Sequence, residues 1–253
     1  MDAGRLIERP IDSPERTPLV GRERDLARIG ALLEQGEIIL LYGRVGVGKS
    51  AVLRELAGRA HQRGMPYALA TRTASLADFT SALSRAYPAV STSGTQRQIR
   101  SRLRMAVEAR PGVLLFDDLG QTGTAFKGAL HSVRGMGLGI VLAADVDQPR
   151  DHDRIRALGL TYREIPLRPL HGHSTRALLE ALLERRVLPH PLAAEHFRAL
   201  AAAAAGLPGR AVHFAEALVD PRAWLGGRPR VDWLRTGAAI QAAERYRLSL
   251  GSC

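Results

Sequence analysis

The chain has 253 residues, of which 45% are hydrophobic and 24% charged, as is typical of a soluble globular protein. This length allows one large domain, or a domain of about 150 residues with a smaller partner. No apolar run approaches the roughly 20 residues of a membrane helix, and the polar start MDAGRLIERPID is unlike a secretory signal. We therefore expect a cytoplasmic protein with no membrane partner. The single cysteine, Cys253, excludes a disulfide within the chain and a thiolate metal cluster.

The net charge of +11 favours nucleic acid or another polyanion as a partner. Only two of the 36 basic residues are lysines, Lys49 and Lys127. A lysine is therefore an exception in this chain, and its position carries information.

The N-terminal half alternates between two kinds of pattern. Residues 1–18 contain three prolines and no periodicity, which predicts a flexible arm, and 22–33 have helical spacing. Short apolar runs predict strands at 38–42, 66–70, 113–116, 139–144 and 162–167. Helical patterns follow at 49–61, 75–87, 95–109, 122–133 and 150–157. Strands interleaved with helices predict an α/β fold with a parallel five-stranded sheet flanked by helices.

The strand signal disappears after residue 170. Helical patterns at 174–186, 191–205, 209–219 and 231–248 predict a small all-helical domain. We expect Trp224 and Trp233 to pack its helices. The predicted organisation is an arm at 1–18, an α/β domain at 19–172, and a small helical domain with a C-terminal helix at 173–253.

The segment GRVGVGKS, residues 43–50, fits the phosphate-loop pattern G-x-x-x-x-G-K-[ST]. Its glycines allow backbone N–H groups to point at phosphate oxygens, and the next helix adds its positive dipole end. Lys49 would bridge the β- and γ-phosphates, and Ser50 would bind Mg²⁺. The alternative is a glycine-rich turn without a ligand. The predicted nucleotide-binding residues are Gly43, Arg44, Val45, Gly46, Val47, Gly48, Lys49, Ser50 and Ala51.

A second apolar run ends in two carboxylates, in GVLLFDDLG at 112–120. Asp117 would hold Mg²⁺ through water, and Asp118 would act as the general base for the attacking water. The alternative is a strand that ends in an Asp-rich turn.

With these motifs, the chain resembles the AAA+ ATPases and the related STAND signalling ATPases over about residues 19–220. The resemblance rests also on LVGRERDLARIGALLEQG (19–36), YREIPLRPLHGHSTRALLEALL (162–183) and AAGLPGRAVHFAEAL (204–218). It implies that Val20 and Gly21 contact the base. It also implies that Pro208 forms a G-x-P turn in the lid and that Arg210 is a sensor-2 arginine reaching the γ-phosphate.

The sequence departs from the AAA+ pattern at several positions. Asp118 stands where the family usually has Glu, which implies slow turnover or a switch. Asp145 is nearest to the sensor-1 position, where a carboxylate would repel the γ-phosphate. The candidates for an arginine finger that completes a neighbour's site are Arg134, Arg154 and Arg156.

The helical segment TQRQIRSRLR places Arg97, Arg100 and Arg104 on one face, with Arg102 off it. This face is a candidate for contacts with DNA phosphates, and a solvated basic face is the alternative. A second basic cluster lies at 226–235. Aromatic residues are only 5% of the chain, so DNA binding would depend on phosphate contacts and salt.

These patterns leave two functions open. The first is an ATPase that uses ATP and Mg²⁺, forms homo-oligomeric rings or filaments with nucleotide, and acts on DNA or a DNA-bound partner. The second is a STAND-like switch that holds ATP or ADP and recruits a protein partner with little turnover. A small-molecule kinase is a third, less favoured alternative, because the helical tail resembles the family lid.

Overall fold

The computed structural model describes residues 18–73, 75–91, 93–119, 124–146, 156, 159 and 161–250. The predicted arm, apart from residue 18, and most of the predicted helix at 150–157 lie outside these residues. The described chain forms two compact units. The first contains Asp25–Tyr42 and Ser50–Pro166, and the second contains 18–24, 43–49 and 167–250. This division falls before the predicted boundary at 172–173, and it groups the phosphate-loop segment with the second unit.

The first unit contains a five-stranded sheet in the order β2-β3-β4-β1-β5. The strands are β1 (Ile38–Gly43), β2 (Tyr67–Thr73), β3 (Val113–Leu119), β4 (Gly139–Asp145) and β5 (Arg163–Pro166). The β1–β5, β2–β3 and β3–β4 pairs are parallel, which confirms the predicted sheet. In such sheets ligands bind beyond the carboxyl ends of the strands, which meet at one edge.

Helices flank the sheet close to their predicted positions. They are α1 (Glu23–Glu34), α2 (Lys49–Gln62), α3 (Leu76–Ala86), α4 (Gln96–Ala109) and α5 (Thr124–Val133). Helices α3 and α4 each begin with a capping box, in which Ser75 pairs with Asp78 and Thr95 with Gln98. These boxes satisfy backbone donors of the first turn, so the two helix starts are encoded locally.

The core of the first unit explains why its strands are apolar without alternation. Ile39, Leu41 and Leu115 are fully buried, as are Leu114 and Phe116 on neighbouring positions. Both faces of these strands are therefore covered, as expected of a parallel sheet. On one face α3, α4 and α5 pack with the strands in a single apolar cluster. Rings of Phe79, Phe116 and Phe126 lie at its centre, with centroids 5.7 to 6.0 Å apart.

The second unit is mainly helical. Its helices are α6 (Gly172–Leu183), α7 (Ala194–Ala204), α8 (Pro208–Ala217) and α9 (Val231–Leu250). A short hairpin of β6 (Trp224–Leu225) and β7 (Arg228–Pro229) was not predicted. Trp224 is buried, as predicted, and its Nε1–H donates to Leu218 O over 2.8 Å. Trp233, by contrast, is 41% exposed on α9.

No helix in the described part of the chain is both long enough and apolar enough to cross a membrane.

Candidate nucleotide-binding site

The phosphate loop connects the end of β1 to the start of α2, as predicted. Gly46 and Gly48 adopt φ angles of +79° and +104°, a region that side chains disfavour. Gly43 is required for a different reason, because a Cβ at this position would lie 2.6 Å from Leu167 O. The structure therefore explains why glycine is required at all three positions of the motif.

Lys49 is folded back over the loop. The residue is 7% exposed, and its Nζ donates to Gly43 O over 2.8 Å and to Arg44 O over 3.0 Å. Two carbonyls thus hold the ammonium group in place at the first turn of α2. A cation held in this way is preorganised for an anion, since little side-chain freedom remains to be lost on binding.

A second buried cation, which is not among the predicted site residues, contacts the loop. Arg22 is only 5% exposed, and its Nη2 donates to Val47 O over 2.8 Å. Arg22 directly follows the predicted base-contacting residues Val20 and Gly21. That proximity in sequence was the available signal, but its contact with the loop depends on packing.

The remaining loop residues differ in exposure. Val47 is fully buried, whereas Arg44 is exposed. Intermediate exposure is shared by Val45, Gly46, Gly48, Ser50 and Ala51.

The start of α8 lies directly against the loop. Gly209 N donates to Gly46 O over 2.8 Å, and a Cβ on Gly48 would lie 3.5 Å from Pro208 Cγ. A Cβ on Gly209 would lie 2.9 Å from Gly46 Cα, so only glycine allows this approach. Arg210 is half-buried beside this contact, and its guanidinium has no hydrogen bond or ion pair with the described residues.

The Val20-Gly21 turn packs against the start of α6. Gly21 has a φ of +69°, and a Cβ there would lie 2.7 Å from Ser174 Oγ. Val20 packs on the apolar cluster of the second unit. The structure thus brings Val20, Gly21 and the phosphate loop into one unit.

The two aspartates belong to a strand rather than to the turn after it. The predicted strand ended at residue 116, but β3 continues to Leu119 and therefore includes Asp117 and Asp118. Asp117 is half-buried and pairs in register with Thr71 of β2. The side chain of Asp118 is not among the parts of the chain that the structure describes. Asp145, the sensor-1 candidate, is the last residue of β4.

Of the arginine-finger candidates, Arg134 follows α5 and is exposed, and Arg156 is also exposed. Arg154 lies outside the described residues. No described contact distinguishes Arg134 from Arg156 as a finger.

The predicted basic face on α4 is present. Arg97, Arg100 and Arg104 are all exposed on this helix. Arg102 has a structural role instead, since its Nη1 donates to Ser91 O over 3.2 Å and to Ser93 O over 2.8 Å. The α4 basic face, defined as Arg97, Arg100 and Arg104, is therefore available to a polyanion.

The second basic cluster, at 226–235, is partly occupied by contacts within the protein. Arg230 Nη1 donates to Arg222 O over 3.3 Å, and Arg235 lies 3.7 Å from a carboxylate oxygen of Asp232. This cluster is therefore a weaker candidate for a polyanion than the α4 basic face.

Comparison with solved structures shows the fold. The Aeropyrum pernix ORC1 protein in complex with DNA has a TM-score of 0.52 and 21% identity, with 94% of this chain and 69% of that chain covered. The Aeropyrum pernix ORC2 protein in ADPNP-ADP complexes has a TM-score of 0.57 and 16% identity, with 92% of this chain and 70% of that chain covered. Domain III of the Thermotoga maritima replication initiation protein DnaA has a TM-score of 0.50 and 15% identity, with 91% of this chain and 94% of that chain covered.

The search of curated proteins found no significant match. The profile of the AAA ATPase domain family, however, matches residues 18–223, which include the phosphate loop, the whole sheet and α6 to α8. Together with the loop geometry, this match shows that the chain belongs to the AAA ATPase domain family and is an AAA+ P-loop protein.

Proposed function

We propose that this protein binds ATP with Mg²⁺, hydrolyses it to ADP and phosphate, and acts with nucleotide on DNA or a DNA-bound partner. The observation that carries the proposal is Lys49, a buried lysine held by two carbonyls of the phosphate loop. Buried lysines are rare without such a role. Here the side chain stands at the start of a helix, where the dipole also favours an anion.

The residues suit Mg²⁺, which prefers hydroxyl and carboxylate oxygens and keeps several of its waters. Ser50 would supply a hydroxyl, and Asp117 would act through water. The ion would neutralise charge on the β- and γ-phosphates. Asp118 accepts a proton from the attacking water, while Lys49 and Arg210 stabilise negative charge on the transferred phosphoryl group.

At the other end of the nucleotide, Val20 and Gly21 would contact the base, while Pro208 would contact the nucleotide beside the phosphate loop. Two contacts in the second unit support these placements: Gly21 packs on Ser174, and Pro208 packs on Gly48 of the phosphate loop.

DNA is the proposed macromolecular partner because of charge. The net charge is +11, and the α4 basic face is exposed. Exposed arginines at this spacing can contact successive phosphates without reading bases. Nucleotide-dependent assembly into a homo-oligomer would place Arg134, Arg154 or Arg156 of one copy at the site of the next.

The alternative is a switch with little turnover, which would use a contact between α8 and the phosphate loop. Gly209 N–H is bonded to Gly46 O, so α8 is coupled directly to the loop that receives the phosphates. A movement of the loop on nucleotide exchange would therefore be passed to α8. A protein partner would recognise that change.

Steady-state hydrolysis of ATP, measured with and without duplex DNA, tests the proposal. We expect measurable turnover that DNA stimulates. Asp118→Asn should lower turnover by about a hundredfold or more, since it removes the general base, and should leave ADP binding in place. The matched control is Asp232→Asn, since the side chain of Asp232 is 99% exposed.

Two results would contradict the proposal. Protein purified with unreleased ADP, and with turnover that ignores DNA, would favour the switch instead. An Asp118→Asn variant as active as wild type would remove Asp118 from the mechanism. Electron microscopy with duplex DNA and a slowly hydrolysed ATP analogue tests assembly, for which rings or filaments are expected.

A further inference from the structure

Arg22 is buried against the phosphate loop, where it can influence the direction in which the backbone N–H groups of the loop point. Arg22 is 5% exposed, and the acceptor for its Nη2 is the carbonyl of Val47, 25 residues further along the chain. A buried arginine is expensive unless it is well paired, so its position is strongly determined by its hydrogen bonds. Arg22 therefore fixes the direction of the Val47 carbonyl.

That carbonyl belongs to the same rigid peptide unit as the N–H of Gly48. In a trans peptide the C=O and N–H bonds point in opposite directions, and the structure contains no cis peptide among the described residues. With Val47 O held by Arg22, the Gly48 N–H must point away from the guanidinium. The φ of +104° at Gly48 permits this orientation.

The Gly48 N–H also lacks an acceptor among the described residues, unlike the N–H of Val47, which donates to Arg44 O over 3.2 Å. Gly48 is half-buried, so an unused donor at this position is costly. A phosphate oxygen would satisfy it.

We propose that Arg22 is a positioning residue for nucleotide binding: by holding the Val47–Gly48 peptide through Val47 O, it aims the Gly48 N–H at a phosphate oxygen of a nucleoside di- or triphosphate. This inference rests on the proposed nucleotide binding. It assigns to Arg22 an action through the backbone, without direct contact with the nucleotide.

The sequence makes the proposal unusually accessible to NMR. Labelling with carbonyl-¹³C valine and ¹⁵N glycine selects amides of Val-Gly pairs, and the chain has three of them: 20–21, 45–46 and 47–48. In the 253-residue wild-type chain, ADP should move the Gly48 amide signal strongly. In Arg22→Ala at saturating ADP, that displacement should be lost.

Affinity for ADP gives the second readout. Arg22→Ala should weaken ADP binding by roughly ten- to a hundredfold, and Arg22→Lys, which retains a cation with fewer donors, should recover part of it. The matched control is Arg102→Ala. Arg102 also donates to loop carbonyls, those of Ser91 and Ser93, but in the first unit, and its removal should leave ADP affinity unchanged.

The outcomes are separable. An unchanged Gly48 displacement in Arg22→Ala, with ADP bound normally by wild type, overturns this inference and leaves the proposed function standing. If Arg22→Ala does not fold, Arg22→Lys is measured instead. A smaller ADP-induced displacement of the Gly48 amide signal, with the Gly21 and Gly46 signals displaced as in wild type, supports the inference. Displacements of all three amide signals equal to those of wild type overturn it. Absence of ADP binding in wild type overturns both proposals.

Discussion

The phosphate loop and the α4 basic face both present positive groups to a phosphate, but they are built in opposite ways. In the loop, Lys49 and Arg22 are 7% and 5% exposed and are bound to backbone carbonyls. On α4, by contrast, Arg97, Arg100 and Arg104 extend into solvent. The loop therefore depends on geometry and tolerates little change, whereas the α4 basic face depends on charge, which salt screens.

The largest effect is expected at Lys49. Lys49→Ala should lower affinity for ATP by about a hundredfold and abolish hydrolysis, because it removes a charged donor from a desolvated site. Calorimetric titration with ATP is the measurement. Lys127→Ala is the natural control, since Lys127 is the one other lysine in the sequence. Equal affinity for ATP in Lys49→Ala and Lys127→Ala would contradict the proposal that the position of Lys49 in the phosphate loop is required for nucleotide binding.

An intermediate effect is expected at Gly209. Gly209→Ala places a Cβ 2.9 Å from the Gly46 backbone, which must shift, and should destabilise the protein by about 1 to 3 kcal/mol and weaken ATP binding about tenfold. Urea unfolding and ATP titration measure the two effects.

The control for Gly209→Ala is Gly128→Ala in α5, where no atom lies within 4 Å of the new Cβ. This substitution should be neutral or stabilising, since alanine favours the helix. A Gly209→Ala variant that resembles this control would show that the contact between α8 and the loop does not constrain nucleotide binding.

The smallest effect is expected on α4, where each arginine contributes separately. Replacing Arg97, Arg100 and Arg104 by Gln should leave ATP affinity intact and weaken duplex DNA binding. The slope of log K against log salt should fall by about 3, roughly 0.9 for each DNA phosphate that an arginine no longer neutralises. Fluorescence anisotropy over a salt series is the measurement.

A triple replacement of the exposed residues Arg24, Arg28 and Arg54 by Gln is the control for total charge. An equal change of slope in both triple variants would mean that net charge, and not the α4 basic face, binds DNA.

Local patterns predicted most of the fold. All five predicted strands were found. Short apolar runs bounded by glycine and proline residues specify buried strands, and this signal does not depend on residues far away in the sequence. The starts of α3 and α4 follow from capping residues within the same turn. The β3 strand was predicted too short, since two consecutive aspartates are unusual inside a strand. The hairpin at 224–229 was missed because its strands have only two residues each.

The sequence by itself determined the loop, its lysine and the alternation of strands and helices, since glycine spacing and hydrophobic period act over a few residues. Tertiary structure decided which groups surround the loop. Arg22 meets Val47 O, and Gly209 meets Gly46 across more than half the chain. Such contacts depend on how buried surfaces pack together, and no short-range pattern records which carbonyl a distant donor will reach.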